Sequence, residues 1–420
     1  MRCLLTSLSL SCAVLATPVA AQDLNTAIAD ALGQAPAIAE ASAGEAAAKA
    51  RLDRARAERN PLLRLEGSVG TGRIDNQGFF GFAPANTTPL ALQAVGELPL
   101  YAGGRTAAAM AQAKGGSDMA RLQAEQTRLQ TIVQAVATYA EVLTARQLEA
   151  RFDRLVTALV ETERQAQLRF RTGDIASSEL AQTRARRAEA DAGFAQAQGR
   201  RLSAEAAYAR VTGKMAGALD PLPALPVMPA TLDEALDHAR HANPSLRQAQ
   251  AAVAVARSGV RAAKAEGMPM IGAFAEAGRV RDQFFPNYQA DSVAVGVRGR
   301  WTLWAGGRVA AQTHAASAEL NASTARERAA SQQLDGMVID AWQAVQTSQR
   351  MVTASTLRSE AAAEALRGTR LETQVGAKPT LALLDAEREA IEAEAARIEA
   401  EAMRTVAAWR LNALTATVQP

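Results

Sequence analysis

Two hydrophobic rhythms divide the chain. Between Thr106 and Thr172 the larger apolar residues Leu122, Leu129, Val133, Val136, Leu143, Phe152, Leu155 and Leu159 recur at spacings of three, four or seven, the stripe of an amphipathic helix. At 1.5 Å per residue such a helix runs on the order of 100 Å. No single compact core covers that length, so the pattern predicts lengthwise packing against other helices in a coiled-coil manner. The segment from Val309 to Val375 repeats the design with Leu320, Leu334, Val338, Trp342 and Val345, and both segments are rich in Ala, Glu, Gln, Arg and Leu, strong helix formers. The rhythm breaks at Gly173 and at Gly376, each followed by another amphipathic helix. Gly takes the left-handed position past a helix end, and Pro379 suits the first turn of the next helix, so two antiparallel helical hairpins are expected.

Elsewhere the period is two. Leu63, Leu65, Gly67 and Val69 alternate with Arg64, Glu66, Ser68 and Gly70. Val293, Val295, Val297, Gly299, Trp301 and Leu303 alternate with polar or small residues, Leu90 to Leu100 forms a third such run, and Met270 to Val280 a weaker fourth. These predict two β-hairpins, over residues 62–101 and 270–304. Apolar side chains on one face and charged or tiny ones on the other, over about ten residues, is the lipid-out, lumen-in pattern of a membrane β-strand. A half-solvated soluble sheet alternates in the same way. Tyr101, Trp301 and Trp304 fall at the strand ends nearest the helices, where an interfacial aromatic girdle would lie. Four strands cannot close a barrel and an open edge cannot face lipid, so strands of this kind in a membrane require several copies of the protein to share one barrel.

The sequence also says nearly the same thing twice. Leu100-Tyr101-Ala102-Gly103-Gly104-Arg105 returns as Leu303-Trp304-Ala305-Gly306-Gly307-Arg308, and the same offset carries Tyr139 onto Trp342 and Gly173 onto Gly376. A slightly longer offset aligns Leu24, Ala27, Ala31, Pro36 and Pro61 with Leu232, Ala235, Ala239, Pro244 and Pro269. The first copy therefore carries a short insertion between Pro61 and Gly103, as a variable loop would. The repeats are expected over 22–219 and 231–420, joined by a Pro-rich linker over 220–230 that is extended rather than helical. Gly103, Gly104, Gly306 and Gly307, with Pro61 and Pro269, read as strand-to-helix bends rather than as a ligand cradle.

The first 21 residues resemble a secretory signal peptide: Arg2, an apolar run from Leu4 to Leu15, and Val19-Ala20-Ala21, with cleavage expected after Ala21. Both cysteines, Cys3 and Cys12, lie inside it, so the mature protein has neither thiol nor disulfide; lipidation at Cys12 is the competing reading. The 46 basic and 43 acidic residues of the 420 are interspersed, and aromatic residues make up 4 %, which gives no basic patch or stacking platform for nucleic acid. No mature stretch is apolar enough for a transmembrane helix.

The exported, duplicated layout, the Ala-rich paired helices, the start Leu24 to Pro36 with its echo Leu232 to Pro244, and the repeated L-[YW]-A-G-G-R before each long helix resemble the TolC-type outer membrane efflux proteins. The resemblance implies a mainly α fold with a small β part: a homotrimer whose protomers each give four strands to a twelve-stranded outer-membrane β-barrel, above a long periplasmic α-barrel. It implies an exit duct of a tripartite efflux or type I secretion system in a Gram-negative bacterium. The partners would be a periplasmic adaptor and an inner-membrane pump, of the RND type or an ABC exporter. In that family the helix-to-helix turns, here at Gly173 and Gly376, form a constricted entrance ringed by an acidic pair. Asp385 matches the second acidic position and Ala382 stands at the first, which leaves one carboxylate ring and weaker cation selectivity. Lys378 matches a basic latch residue, and Ser178 and Glu179 occupy its partner positions, so a Lys378 to Glu179 pair is expected to close the gate. The alternative class is a periplasmic coiled-coil scaffold or adaptor that never enters the membrane.

Enzymatic and cofactor chemistry find no footing. His238 and His241 lie three apart without a Cys or an evident acidic third ligand, Lys114-Gly115-Gly116-Ser117 lacks the order of a phosphate loop, and no catalytic constellation stands out. No cofactor or metal is expected. Phe79, Phe80, Phe82, Phe284, Phe285 and Tyr288 fall in the two hairpin loops, where packing among themselves is expected.

Overall fold

The computed structural model describes residues 21–75 and 84–417. Residues 1–20 of the expected signal peptide and the loop residues Phe79, Phe80 and Phe82 lie outside the described residues. The protein is mostly helical with a small strand part. Its elements run α1 (Leu24–Gln34), α2 (Pro36–Ala57), β1 (Leu62–Val69), β2 (Gly72–Ile74), β3 (Ala85–Thr87), β4 (Leu90–Tyr101), α3 (Arg105–Arg171) and α4 (Ser177–Thr212). The second half continues with α5 (Leu232–Ala242), α6 (Pro244–Ala265), β5 (Met270–Arg281), β6 (Gln289–Arg300), α7 (Arg308–Gln374) and α8 (Thr380–Thr415). Paired helices have equal lengths: 11 residues for α1 and α5, 22 for α2 and α6, 67 for α3 and α7, and 36 for α4 and α8. The extra residues of the first hairpin sit at its tip, where β2 and β3 pair with each other apart from the main sheet.

Proline and short polar caps set the breaks. Pro36 and Pro244 each open a helix, and the residue before each is extended, which ends α1 and α5. Asp23, Thr231 and Asn243 accept backbone N–H groups at the starts of α1, α5 and α6. In the half next to the sheet α3 lies between α2 and α6, and in the far half it lies against α4 and α8, while α7 packs on α6 and α8. Each long helix is thus covered in relay by shorter ones along its length. The seams meet near its middle, where the largest buried side chains collect. Ile132, Val136 and Tyr139 of α3 pack there with Leu24 and Ile28 of α1 and Tyr208 of α4. The second repeat builds its counterpart from Leu334, Val338 and Val345 with Ala235, Ala239 and Leu411.

The main sheet is fully antiparallel in the order β1-β4-β5-β6, so β4 and β5 join the two halves. β6 ends at Arg300, short of the expected 304, because the indole N–H of Trp301 donates to the Gly267 carbonyl at 3.1 Å and draws the backbone toward the end of α6. Pro379 stands one residue before α8, as its cap, rather than within its first turn.

Candidate membrane band and channel entrance

The sheet register sorts the strand residues onto two faces. Leu65, Ala94, Ala277 and Val293 form one cross-strand row, and Leu63, Gly96, Ala275 and Val295 the next, all on one face. The other face carries Arg64, Glu66, Gln93, Glu97, Glu276 and Arg298, with the Arg298 guanidinium 4.5 Å from the centre of the Phe274 ring and 3.8 Å from Glu276. The apolar face is bare: Leu63 is 79 % exposed, Val293 83 % and Val295 76 %. β1 and β6, the outer strands, are paired on one side only. Water penalises both features, an unpaired edge beside an uncovered aliphatic surface, whereas a lipid bilayer and a neighbouring copy satisfy both. Where the apolar rows end, Arg279 and Asp291 form a two-point ion pair at 2.6 and 2.8 Å. At the opposite end Tyr101, Trp301 and Trp304 are exposed. Tyr101 closes β4, and the two tryptophans lie in the link to α7.

Glycine turns the strands into helices. Gly103, Gly104, Gly306 and Gly307 all have positive φ, between 57° and 87°, and Gly104 and Gly307 cap the long helices. At Gly103 a Cβ would lie 2.4 Å from Met268 Cβ, because the end of the second repeat's α6 packs directly on this bend. At Gly306 nothing lies within 4 Å. Pro61 and Pro269 each immediately precede a strand, where a missing N–H costs no ladder bond.

The hairpin turns at the far end share one geometry. Gly173 N–H donates to Phe170 O and Asp174 N–H to Arg169 O, and Gly376 N–H donates to Thr373 O and Ala377 N–H to Glu372 O. These are paired Schellman closures, which require a left-handed residue at Gly173 and Gly376. Lys378 Nζ lies 2.6 Å from Glu372 on its own hairpin, rather than on Glu179 of the other. The two partners flank one tight turn, so this pair forms at little entropic cost, whereas Glu179 belongs to a separate hairpin. Ser178 is exposed and Glu179 half-buried at the start of α4. Asp385 of α8 pairs with Arg186 of α4 at 2.9 Å, a direct tie between the hairpins.

Two buried carboxylates stand near the entrance. Glu163 of α3 accepts from Arg187 at 2.8 Å and Arg184 at 3.3 Å, and these hydrogen bonds hold its pKa below the ordinary value. Glu387 of α8 has one cation among the described residues, Arg370 of α7 at 3.3 Å, and burial raises its pKa. Neither carboxylate nor Arg186 was singled out from sequence alone. The signal was available in the repeat alignment, since Thr212 matches Thr415 and the same offset sets Arg184 opposite Glu387, a reversed charge at one structural position. His241 is exposed beside Asp237, and among the described residues no group of His, Cys, Asp and Glu could hold a metal ion.

Paired long helices beneath a lipid-facing sheet with open edges define a subunit of a membrane-anchored helical channel. Residues 27–214 and 235–417 match the outer membrane efflux protein family, and the chain belongs to that family. It is 27 % identical over 263 residues to the outer membrane efflux protein BepC of Brucella suis, a match that covers 62 % of this chain and 58 % of that protein. Its fold is similar to that of a membrane protein from Pseudomonas aeruginosa, with TM-score 0.82, 19 % identity and 93 % of both proteins covered. The outer membrane protein VceC of Vibrio cholerae is similar at TM-score 0.79 and 20 % identity, over 93 % of this chain and 96 % of that one.

Proposed function

We propose that this protein is the passive exit duct of a tripartite efflux or type I secretion system, conducting substrates that an inner-membrane transporter and a periplasmic adaptor deliver. The carrying observation is the bare apolar face of a four-stranded sheet whose two edge strands are each paired on one side only. Three copies joined β6 to β1 would close a twelve-stranded barrel, with Arg64, Glu66, Glu276 and Arg298 toward the lumen. A homotrimer follows, with Tyr101, Trp301 and Trp304 at the periplasmic edge of the bilayer and the helical shaft below. The inner-membrane partner is an RND-type pump or an ABC exporter. The duct performs no catalysis and holds no cofactor; its energy comes from that partner. Export follows from the leader, with cleavage after Ala21.

The entrance lies at the turns around Gly173 and Gly376. Asp385 supplies its carboxylate ring, and Arg186 holds that carboxylate while the hairpins are together. Separation of α4 from α8 would free Asp385 to face the pore, so the tie closes the entrance and its loss creates the cation preference. Lys378 contributes as a turn clasp on Glu372, with Glu179 and Ser178 as its partners in any tighter closed state. Single-channel conductance in planar bilayers, beside oligomer size in SDS without heating, tests the reading. Discrete cation-preferring openings from an SDS-resistant trimer support the duct. A rod that never inserts would support the periplasmic scaffold instead.

A further inference from the structure

Where the sheet meets the helices, its polar face and the adjoining ends of α2 and α3 frame a cavity of about 670 Å³. The register sets Leu62, Glu97, Phe274 and Gly296 in one cross-strand row, Pro99, Gly272 and Arg298 in the row nearer the helices, and Met270 opposite Arg300 at the end. Leu62, Pro99, Met270 and Phe274 give the cavity an apolar floor. A Cβ on Gly296 would lie 3.0 Å from the Phe274 ring, so the absence of a side chain there lets the ring lie across the sheet. Arg298 stacks on that ring, its guanidinium 4.5 Å from the centre.

The charge over this floor is unbalanced. Arg54 of α2, Arg105 of α3, and Arg298 and Arg300 of β6 border the cavity, against the two carboxylates of Glu58 and Glu97. In the shaft Arg146, Arg187, Arg200 and Arg201 each meet a carboxylate at between 2.5 and 2.8 Å. Around the cavity the pattern is different. Among the described residues Arg54 and Arg300 pair with no carboxylate, and neither Glu58 nor Glu97 takes a cation. Arg105 donates to the Met270 thioether sulfur at 2.7 Å, a weak acceptor, and Arg298 stands 3.8 Å from Glu276, beyond hydrogen-bond reach. Arg105 and Thr106 also open α3, whose N-cap Gly104 supplies no side-chain acceptor, so the positive end of a 67-residue helix adjoins the same space.

We propose that this cavity binds amphiphilic organic anions, in which an aromatic or aliphatic body carries a carboxylate, sulfonate or phosphate group. The head meets the guanidinium groups of Arg105, Arg298 and Arg300, which present paired N–H donors to such oxygens, and the body lies on the apolar floor. The proposal rests on the duct reading, in which this face lines the lumen, and it names the cargo class held where barrel meets shaft. The site lies at the opposite end of α3 from the entrance and is opposite in sign to Asp385, so it is a separate filter.

All the lining residues belong to one copy of the chain, so binding requires neither trimer nor bilayer. The test is equilibrium dialysis of the purified full-length protein in uncharged detergent against 2-naphthalenesulfonate. The 2-naphthylmethylammonium ion serves as the same body with the opposite charge, and inorganic sulfate as the head alone. Saturable binding of the sulfonate is expected, at least tenfold tighter than either control. Arg300→Gln, at an exposed and unpaired position, is expected to weaken it about tenfold, the effect of roughly one lost charge-assisted contact. Arg281→Gln, on the apolar face of the same sheet, is expected to leave it unchanged. Absence of saturable binding, equal binding of the ammonium ion, or an affinity unmoved in the Arg54→Gln, Arg300→Gln double variant overturns the proposal. Conductance separates this result from the duct reading. A protein that binds the sulfonate but never conducts keeps the site and loses the duct, whereas a conducting channel that fails to bind keeps the duct and loses the site.

Discussion

The two repeats have the same skeleton and opposite chemistry at its ends. Their helices match in length element by element, and glycine turns their hairpins with the same pair of hydrogen bonds. Side chains diverge at three levels. At the entrance α4 presents Arg184, Arg186 and Arg187 where α8 presents Glu387, Glu389 and an apolar Ala390. At mid-shaft the Tyr139 hydroxyl ties down an extended layer, and Trp342 at the matching position has no hydroxyl. At the strand-to-helix bend Gly103 is pressed against the other repeat whereas Gly306 is free. A duplicated fold thus keeps its backbone geometry while its side chains diverge, most of these charges pairing within their own repeat and Arg186 crossing to Asp385 of the other.

The largest expected difference lies at the bends. Gly103→Ala imposes a disfavoured positive φ and a 2.4 Å contact with Met268, together on the order of 3 kcal/mol or more, while Gly306→Ala incurs only the backbone term of about 1 kcal/mol. The yield of SDS-resistant oligomer should fall steeply for the first and modestly for the second. Equal losses would show that Gly103 is not a contact between repeats. Mid-shaft, Tyr139→Phe strips the Asp220 carbonyl of its hydroxyl donor and should cost about 1–3 kcal/mol in urea unfolding. Burial pushes the Tyr139 phenol up to about 12 from 10.0. A raised folded pKa gives stability that is complete below pH 10 and is lost as pH rises toward 12, so the wild-type protein should lose stability in that window and Tyr139→Phe should flatten the loss.

At the entrance the same linkage takes opposite signs. Glu163, with its pKa lowered by Arg187, contributes stability that is lost as pH falls through its folded value, whereas Glu387, raised by burial, contributes stability that is present in acid and lost as pH rises. Glu163→Gln should therefore reduce the acid sensitivity of unfolding and cost about 1 kcal/mol at neutral pH, discounted because its arginines are half-exposed. Glu387→Gln should be close to neutral at pH 7 and remove the opposing slope. Matching pH slopes for the two variants would break the contrast between repeats. Arg186→Ala should raise the open probability of single channels and Asp385→Asn should lower cation preference, each by about twofold to tenfold as expected of one half-exposed ion pair per protomer. Lys378→Glu, whose pair is confined to one turn, should have the smallest effect, and a conductance identical to wild type would remove it from the gate.

Much of this was legible without coordinates because it depends on local periodicity. A helix of 67 residues announces itself through its apolar stripe, its Ala content and the Gly that ends it, and a lipid-facing strand through strict alternation from Leu63 to Val69 or Val293 to Val297. Glycines that must take positive φ are equally local, so the bends and turns fell on Gly103, Gly104, Gly173, Gly306, Gly307 and Gly376. Pairings across the molecule were not legible in the same way. Lys378 went to Glu372 and Asp385 to Arg186, and the pair of buried Glu387 with half-exposed Arg370 spans two helices.

The sequence by itself determined the elements, their duplication and the segregation of apolar from polar faces, since each of these follows from residues within a few positions of one another. Only the tertiary structure decided which charges meet and which glycine bears a neighbour's weight. Those outcomes depend on the relative rotation and axial stagger of helices about 100 Å long. A shift of one turn there exchanges every ion-pair partner without altering the pattern along the sequence.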